Sequence, residues 1–295
     1  MKTHLFRSRF IYLAAILAAA QVRAGTADEP GAPWATQIDL TRGTGMAGAM
    51  TAFASGNDAI TINPAGLALN HNYHFELDGM DDVKFPAEGV ILSIADSTTA
   101  QGVGSGMIFE RWGAGQLAGR GEGWLGGISY AYAQGSTLFG GTTHYLHFAG
   151  PGGETIHYFS EDIGVMEHGS NISFGATLQN INFSFDNMPL FPLTGAIGAS
   201  VGDDSDFHLS ADYTVNLADT SNLKHQLSFG GEMMFEKTLV LRTGYRWDVT
   251  DHLGWLTCGA SIVTERFSFG AALRRRVHGD HMEQALEANV TLFLE

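Results

Sequence analysis

The stretch FHLSADYTVN, Phe207–Asn216, alternates: Phe207, Leu209, Ala211, Tyr213 and Val215 share one face, and His208, Ser210, Asp212, Thr214 and Asn216 share the other. A period of two marks a strand whose faces meet unlike surroundings. The rhythm recurs in HQLSFGGEMMFE, with Leu227, Phe229, Met233 and Phe235 against Gln226, Ser228, Glu232 and Glu236. In LVLRTGYRWDV it sets Leu241, Tyr245, Trp247 and Val249 against Arg242, Arg246 and Asp248. Further strands are expected in NISFGATLQNI, TGAIGASV, WLTCGASIV, RFSFGAALRRR and the terminal ALEANVTLFLE, with fainter glycine-rich ones near 73–79, 89–95, 102–110, 123–133 and 142–148.

Alternation suits a soluble, secreted β-sandwich as well as a membrane barrel, so the connections must decide between them. Counted back from the C-terminus, those at 277–284, 250–253, 217–224 and 183–193 are long, whereas those at 265, 236–237 and 203–205 are short. Strict alternation of long and short is the asymmetry of an outer-membrane barrel with tight periplasmic turns, and it brings the last strand down to a periplasmic C-terminus. Residues 150–170 form either a long turn or strands of their own, at 155–159 and 163–166. With the latter the count comes to about 14, an even number as in single-chain bacterial barrels. The expected fold class is all-β: a transmembrane antiparallel β-barrel of about 14 strands with an N-terminal plug.

This scheme places Arg274, Arg275 and Arg276 at the outer rim, near lipopolysaccharide phosphates, with Trp247 and Trp255 in the aromatic belt at that end. A solvated arginine run is the plainer reading of the same residues. Arg242 and Arg246, opposite Glu232 and Asp212 on polar faces, are expected to form ion pairs inside the barrel.

Export is written at the N-terminus, where Lys2, Arg7 and Arg9 precede the apolar run FIYLAAILAAA. That run is too short to span a bilayer and leads into small-residue cleavage sites, so residues 1–24 read as a signal peptide cut after Ala24, with Ala27 as the alternative. Residues 25–70 then form a periplasmic arm and plug, and 71–295 the barrel. Removing the signal takes away four basic residues and no acidic ones, which moves the formal charge from −15 to about −19. Such a surface repels nucleic acid. The lone Cys258 provides neither a lipobox nor a disulfide framework, and it shares an apolar face with Leu256 and Ala260.

Candidate chemistry changes this picture little. GTGMAG, with Gly43, Gly45 and Gly48, has dinucleotide-fingerprint spacing. It follows a polar segment instead of a buried strand, and no acidic residue stands about 20 positions on, so no nucleotide cofactor is expected. The tightest histidine pair, His144 and His147, points to opposite faces of a strand. His71 and His74 share that defect, and His278 and His281 fall in a predicted loop, so no metal is expected either. No G-x-S-x-G elbow is present, and Ser129, Ser210 and Ser228 sit in ordinary strand positions, so the chain does not read as an enzyme.

Residues 45–68, GMAGAMTAFASGNDAITINPAGLA, are small, helix-compatible at first and broken at Asn63-Pro64. Glycines at 43, 45 and 48 let a chain pack closely inside a barrel. The block resembles the N-terminal hatch of FadL-type outer-membrane transport proteins and their PorV-like relatives. Those families carry an Asn-Pro-Ala-Gly-Leu element, matched here by Asn63, Pro64, Ala65, Gly66 and Leu67. Residues 230–248 resemble the late hairpin of PorV-like barrels, and 173–181 a mid-barrel strand. The chain is shorter than the long-chain fatty-acid transporters of the family and nearer the PorV-like branch. The resemblance implies a bacterial outer-membrane location among lipid and lipopolysaccharide. It also implies passage of small hydrophobic molecules, gated by the Asn63-Pro64-Ala65 element. The alternative it implies is a non-transporting barrel that docks partner proteins of a secretion or surface machine.

Overall fold

The computed structural model describes residues 39–69, 72–82, 88–112, 122–149, 155–181, 192–203, 207–217, 221, 223–279 and 284–294. The expected signal peptide, the arm up to residue 38, His71, His281 and much of the predicted long loops lie outside the described residues.

Fourteen strands form one closed antiparallel barrel in which each pairs with its sequence neighbours and β1 closes against β14. They are β1 Tyr73–Asp82, β2 Glu88–Ala100, β3 Val103–Trp112, β4 Glu122–Gln134, β5 Thr137–Ala149, β6 Thr155–His168 and β7 Ile172–Ile181. The second half comprises β8 Thr194–Asp203, β9 Phe207–Asn216, β10 Lys224–Phe235, β11 Leu239–Asp248, β12 Leu253–Val263, β13 Phe267–His278 and β14 Gln284–Leu294. Connections of two or three residues at one end alternate with connections of four to twelve at the other. Closure leaves no unpaired edge, which a sheet in lipid cannot tolerate.

The two-residue rhythm becomes an inside and an outside. On β9, Phe207, Leu209 and Tyr213 point outward, while Ser210, Asp212 and Thr214 are buried. Val215 shares the outward face but is half-buried. Around the wall, large apolar side chains are the ones exposed, Ile128 and Phe159 at 62% and Leu209 at 58%. An exterior of that kind matches a hydrocarbon surround. Cys258 lies on it, as its phase with Leu256 and Ala260 requires.

Three expectations need correction. Residues 155–168 form one strand instead of two, because Ser160 and Asp162, between the two expected strands, are inward residues of β6. Trp255 is buried on the inner face with Thr257 and Ser261, opposite Leu256, and so is absent from any outer belt; Trp247 does face outward. The arginine run does not form one rim patch, because β13 continues to His278 and alternates through it. Arg275 is exposed, whereas Arg276 turns inward with its guanidinium 5.4 Å from the Trp255 ring centre.

Inside the barrel lies the segment 39–69, made of short turns: α1 Thr41–Gly45, α2 Asn57–Thr61 and a 3₁₀ turn Pro64–Ala68. Leu40, Met46, Met50, Ile60 and Ile62 are among its fully buried side chains.

Candidate functional site

The inner segment has no strand partner; its own turns pair part of its backbone, as in Gly48 N–H to Gly43 O and Ile62 N–H to Asp58 O, and side chains reaching in from the wall meet further groups. The Thr41 backbone N–H and hydroxyl both donate to Asp78 Oδ1 of β1, at 3.2 and 2.8 Å. The Thr51 N–H donates to Asp212 Oδ2 of β9 at 2.8 Å. Gln179 of β7 donates to the Thr61 carbonyl at 2.6 Å, Thr142 of β5 to that of Ile60 at 3.2 Å, and Thr257 of β12 to that of Gly45 at 3.0 Å. Asn63 ties the segment to itself and to the wall, donating to the carbonyls of Thr51 (2.7 Å) and Val165 (3.2 Å) while its Oδ1 accepts from the Ala65 N–H. Asn63 is extended, as a residue before proline should be, and Pro64 opens the 3₁₀ turn.

Charges reinforce the attachment. Glu232 accepts from Arg242 and from Arg42, whose Nη2 is 2.8 Å from Oε1. The expected Arg242–Glu232 neighbours therefore do meet across β10 and β11, where they are register partners. Arg246 and Asp212 do not meet. Arg246 donates instead to Asp39 Oδ2 at 2.8 Å and to the Ala47 carbonyl at 3.0 Å, leaving Asp212 to the segment's backbone. Asp58 accepts from the Gly43 N–H at 3.1 Å and lies 3.9 Å from Arg42. Burial pushes the Asp58 carboxyl up to about 7, with Arg42 opposing the shift only in part. Burial also works against the Arg42 charge, but Glu232 and Asp58 outweigh it and raise its pKa above the ordinary guanidinium value.

The glycine motif is explained by this packing. Gly48 adopts φ +72°, and a side chain there would collide with the Arg246 guanidinium. The wall yields in the same way around the Asn-Pro-Ala element: a Cβ on Gly140 would strike the Pro64–Ala65 peptide, and one on Gly164 the Asn63 side chain. Gly43, Gly45, Asn63, Pro64, Ala65, Gly66 and Leu67 are all buried in the lumen.

The lumen lining carries one apolar row. On β2–β6 one cross-strand row runs Ile91, Glu110, Leu125, Leu146 and Tyr158, all buried and inward, and four of the five are apolar. These join Ile60 and Leu67 of the inner segment in one hydrophobic cluster. Across the lumen β9–β12 present Thr214, Gln226, Ser228, Arg246, Asp248 and Thr257. At the short-turn end a cavity of about 260 Å³ lies between segment and wall, bordered by Arg42, Phe53, Asp58, Glu232 and Phe293 among others. His144 faces inward and His147 outward, so the pair cannot share an ion. Among the described residues no group of three or more His, Cys, Asp or Glu could hold a metal.

Sequence reasoning missed Asp39, Arg42, Asp58, Asp78 and Glu110. The even phase of Glu110 with Ile108, inside a recognised strand, was the available signal for the last; the others pair across long sequence separations that no local pattern records.

A closed barrel with an apolar exterior and a lumen filled by its own N-terminal segment defines the class as a plugged membrane β-barrel. No protein-family model and no curated protein matches the chain. Among solved structures the fold is similar to the CymD monoaromatic hydrocarbon channel, with a TM-score of 0.68 at 12% identity over 88% of this chain and 98% of that one. It is similar to the Pseudomonas putida toluene transporter TodX (TM-score 0.62, 13% identity, 92% and 99% covered). It also resembles a Pseudomonas aeruginosa FadL homologue (TM-score 0.62, 10% identity, 86% and 98% covered). The fold is of FadL type.

Proposed function

We propose that the protein is an outer-membrane channel for small hydrophobic molecules and that residues 43–67 act as its hatch. The observation carrying this reading is the construction of the lumen. An apolar row on β2–β6 leads onto a segment that fills the barrel yet pairs with none of its strands. That segment can shift without breaking any strand pairing, which is what a gate inside a closed wall requires. Its Asn63-Pro64-Ala65 element packs against the glycine-lined surface of β5 and β6. The names of the similar solved structures, a monoaromatic hydrocarbon channel and a toluene transporter, agree with this chemistry.

Deleting residues 43–67 tests the proposal. The expected result is a folded barrel with raised permeability to small solutes and hydrophobic compounds in proteoliposomes and in intact cells. Unchanged permeability for both solute classes would sink the hatch reading. The alternative, a PorV-like barrel that docks secretion or surface proteins, predicts that outcome together with a stoichiometric protein partner on purification in detergent.

A further inference from the structure

On the outer face of the wall, at the long-loop end, two histidines stand side by side on neighbouring strands. His147 of β5 and His157 of β6 are register partners, and their ring centres lie 5.0 Å apart with the planes inclined at 54°. His147 is half-buried and His157 exposed. The pairing runs across strands, so the pleat that parts His144 from His147 leaves these two on one face. Trp124 of β4, the register partner of His147 on its other side, stacks on that imidazole with 5.8 Å between ring centres. His157 is held by Tyr145, whose hydroxyl oxygen lies 2.6 Å from Nδ1. In the tautomer that donates Nδ1–H to the Tyr145 oxygen, Nε2 keeps its lone pair. The contact of Tyr213 with His225, also at 2.6 Å, has the same form on the outer face, but the register partner of His225 is Val215. Of these two tyrosine–histidine contacts, that on β5 and β6 alone has a second imidazole beside it.

The separation suits a shared ion. Zinc–imidazole bonds are about 2.0–2.1 Å and a ring centre lies about 1.2 Å behind its ligating nitrogen, so two imidazoles at tetrahedral positions on one ion have centres about 5 Å apart. We infer that His147 and His157 form a two-nitrogen site for a divalent copper or zinc ion on the outer face of the barrel. Imidazole nitrogen suits these metals, whereas calcium and magnesium take oxygen ligands. Tyr145 is the outer partner that fixes the His157 tautomer, as a hydrogen-bonded second group does for histidine ligands generally. Two protein ligands leave the ion open positions for water, so it exchanges with solution instead of serving as a closed structural centre. Copper binds there more tightly than zinc. The bound ion links β5 to β6 near the end where they connect. The inference concerns the outside of the wall and stands apart from the channel reading.

The test titrates the full-length protein in nanodiscs with Cu2+ alone, reading affinity by calorimetry and ligands by electron paramagnetic resonance. The unmodified chain should show a bound Cu2+ whose nitrogen hyperfine pattern reports two imidazoles, and Zn2+ should displace it when added in excess. The chain carries twelve histidines, so the site is assigned by difference. His147→Phe and His157→Phe keep an aromatic ring at each position, and each should remove the two-nitrogen signal with heat-modifiable gel mobility unchanged. Tyr145→Phe should weaken Cu2+ binding about tenfold, the usual cost of losing a second-shell partner. His225→Phe should change nothing. A two-nitrogen signal that survives phenylalanine at both positions, or that falls equally in His225→Phe, overturns the site and leaves an aromatic belt only. Fewer than two nitrogens on the copper of the unmodified chain, or no bound copper, overturns it without recourse to any variant.

Discussion

Asp58 couples the inner segment to pH. Its carboxyl titrates near 7 in the fold against an ordinary value of 3.8, so the folded state holds the proton more tightly than the unfolded one. The stabilisation is fully present below about pH 4 and is lost as pH rises towards 7. Proteolysis of the segment from the short-turn side should therefore accelerate between pH 4 and 7, and Asp58→Asn should flatten that dependence. A profile identical for both proteins would remove Asp58 from the coupling. The same scale shows why one expected ion pair was legible and the other was not. Arg242 and Glu232 are register partners in one hairpin, so strand phase alone brings them together. Arg246 finds Asp39 across 207 residues, and Asp212 is taken by a backbone N–H that no side-chain inventory contains.

At the scale of elements, the inner segment and the wall are complementary because each gives up side chains where they touch. Gly140 and Gly164 make room for the Asn63–Ala65 turn, so Gly164→Leu should push that turn away without disturbing the outward face of β6. Overpacking of this kind costs about 1–3 kcal/mol. It should appear as increased single-channel conductance in planar bilayers with heat-modifiable mobility unchanged; a silent channel with a fully folded wall would contradict the packing argument. Strand β6 teaches a related lesson. Its Ser160-Glu161-Asp162 triplet has the composition of a turn, yet a strand lining a filled lumen can bury Asp162 because His144 and the Asn180 N–H complete its hydrogen bonds. Glu161, on the opposite face, is bonded by Thr143 of the adjacent strand. Similarly, the arginine run that reads as one basic patch is divided between two faces by the pleat.

At the scale of the molecule, the exterior predicts its surroundings. Cys258 stands outward beside Leu256 in the apolar band, so in proteoliposomes an apolar maleimide should label it and a membrane-impermeant charged maleimide should not. Equal labelling by both reagents would place that face in water and undo the barrel-in-lipid reading.

The two-residue rhythm, the alternation of long and short connections and the small-residue block before β1 are local properties, and from them follow the strands, the closed barrel and the presence of something compact in the lumen. Strand phase is set by adjacent residues, and the loop asymmetry by counting along one chain. Which atoms hold the inner segment, and that an apolar row on β2–β6 stands apart from polar residues of β9–β12, were settled only when the wall closed. Closure sets distant strands at adjacent positions, so these contacts depend on register around the whole circumference, a quantity that no stretch of sequence holds by itself.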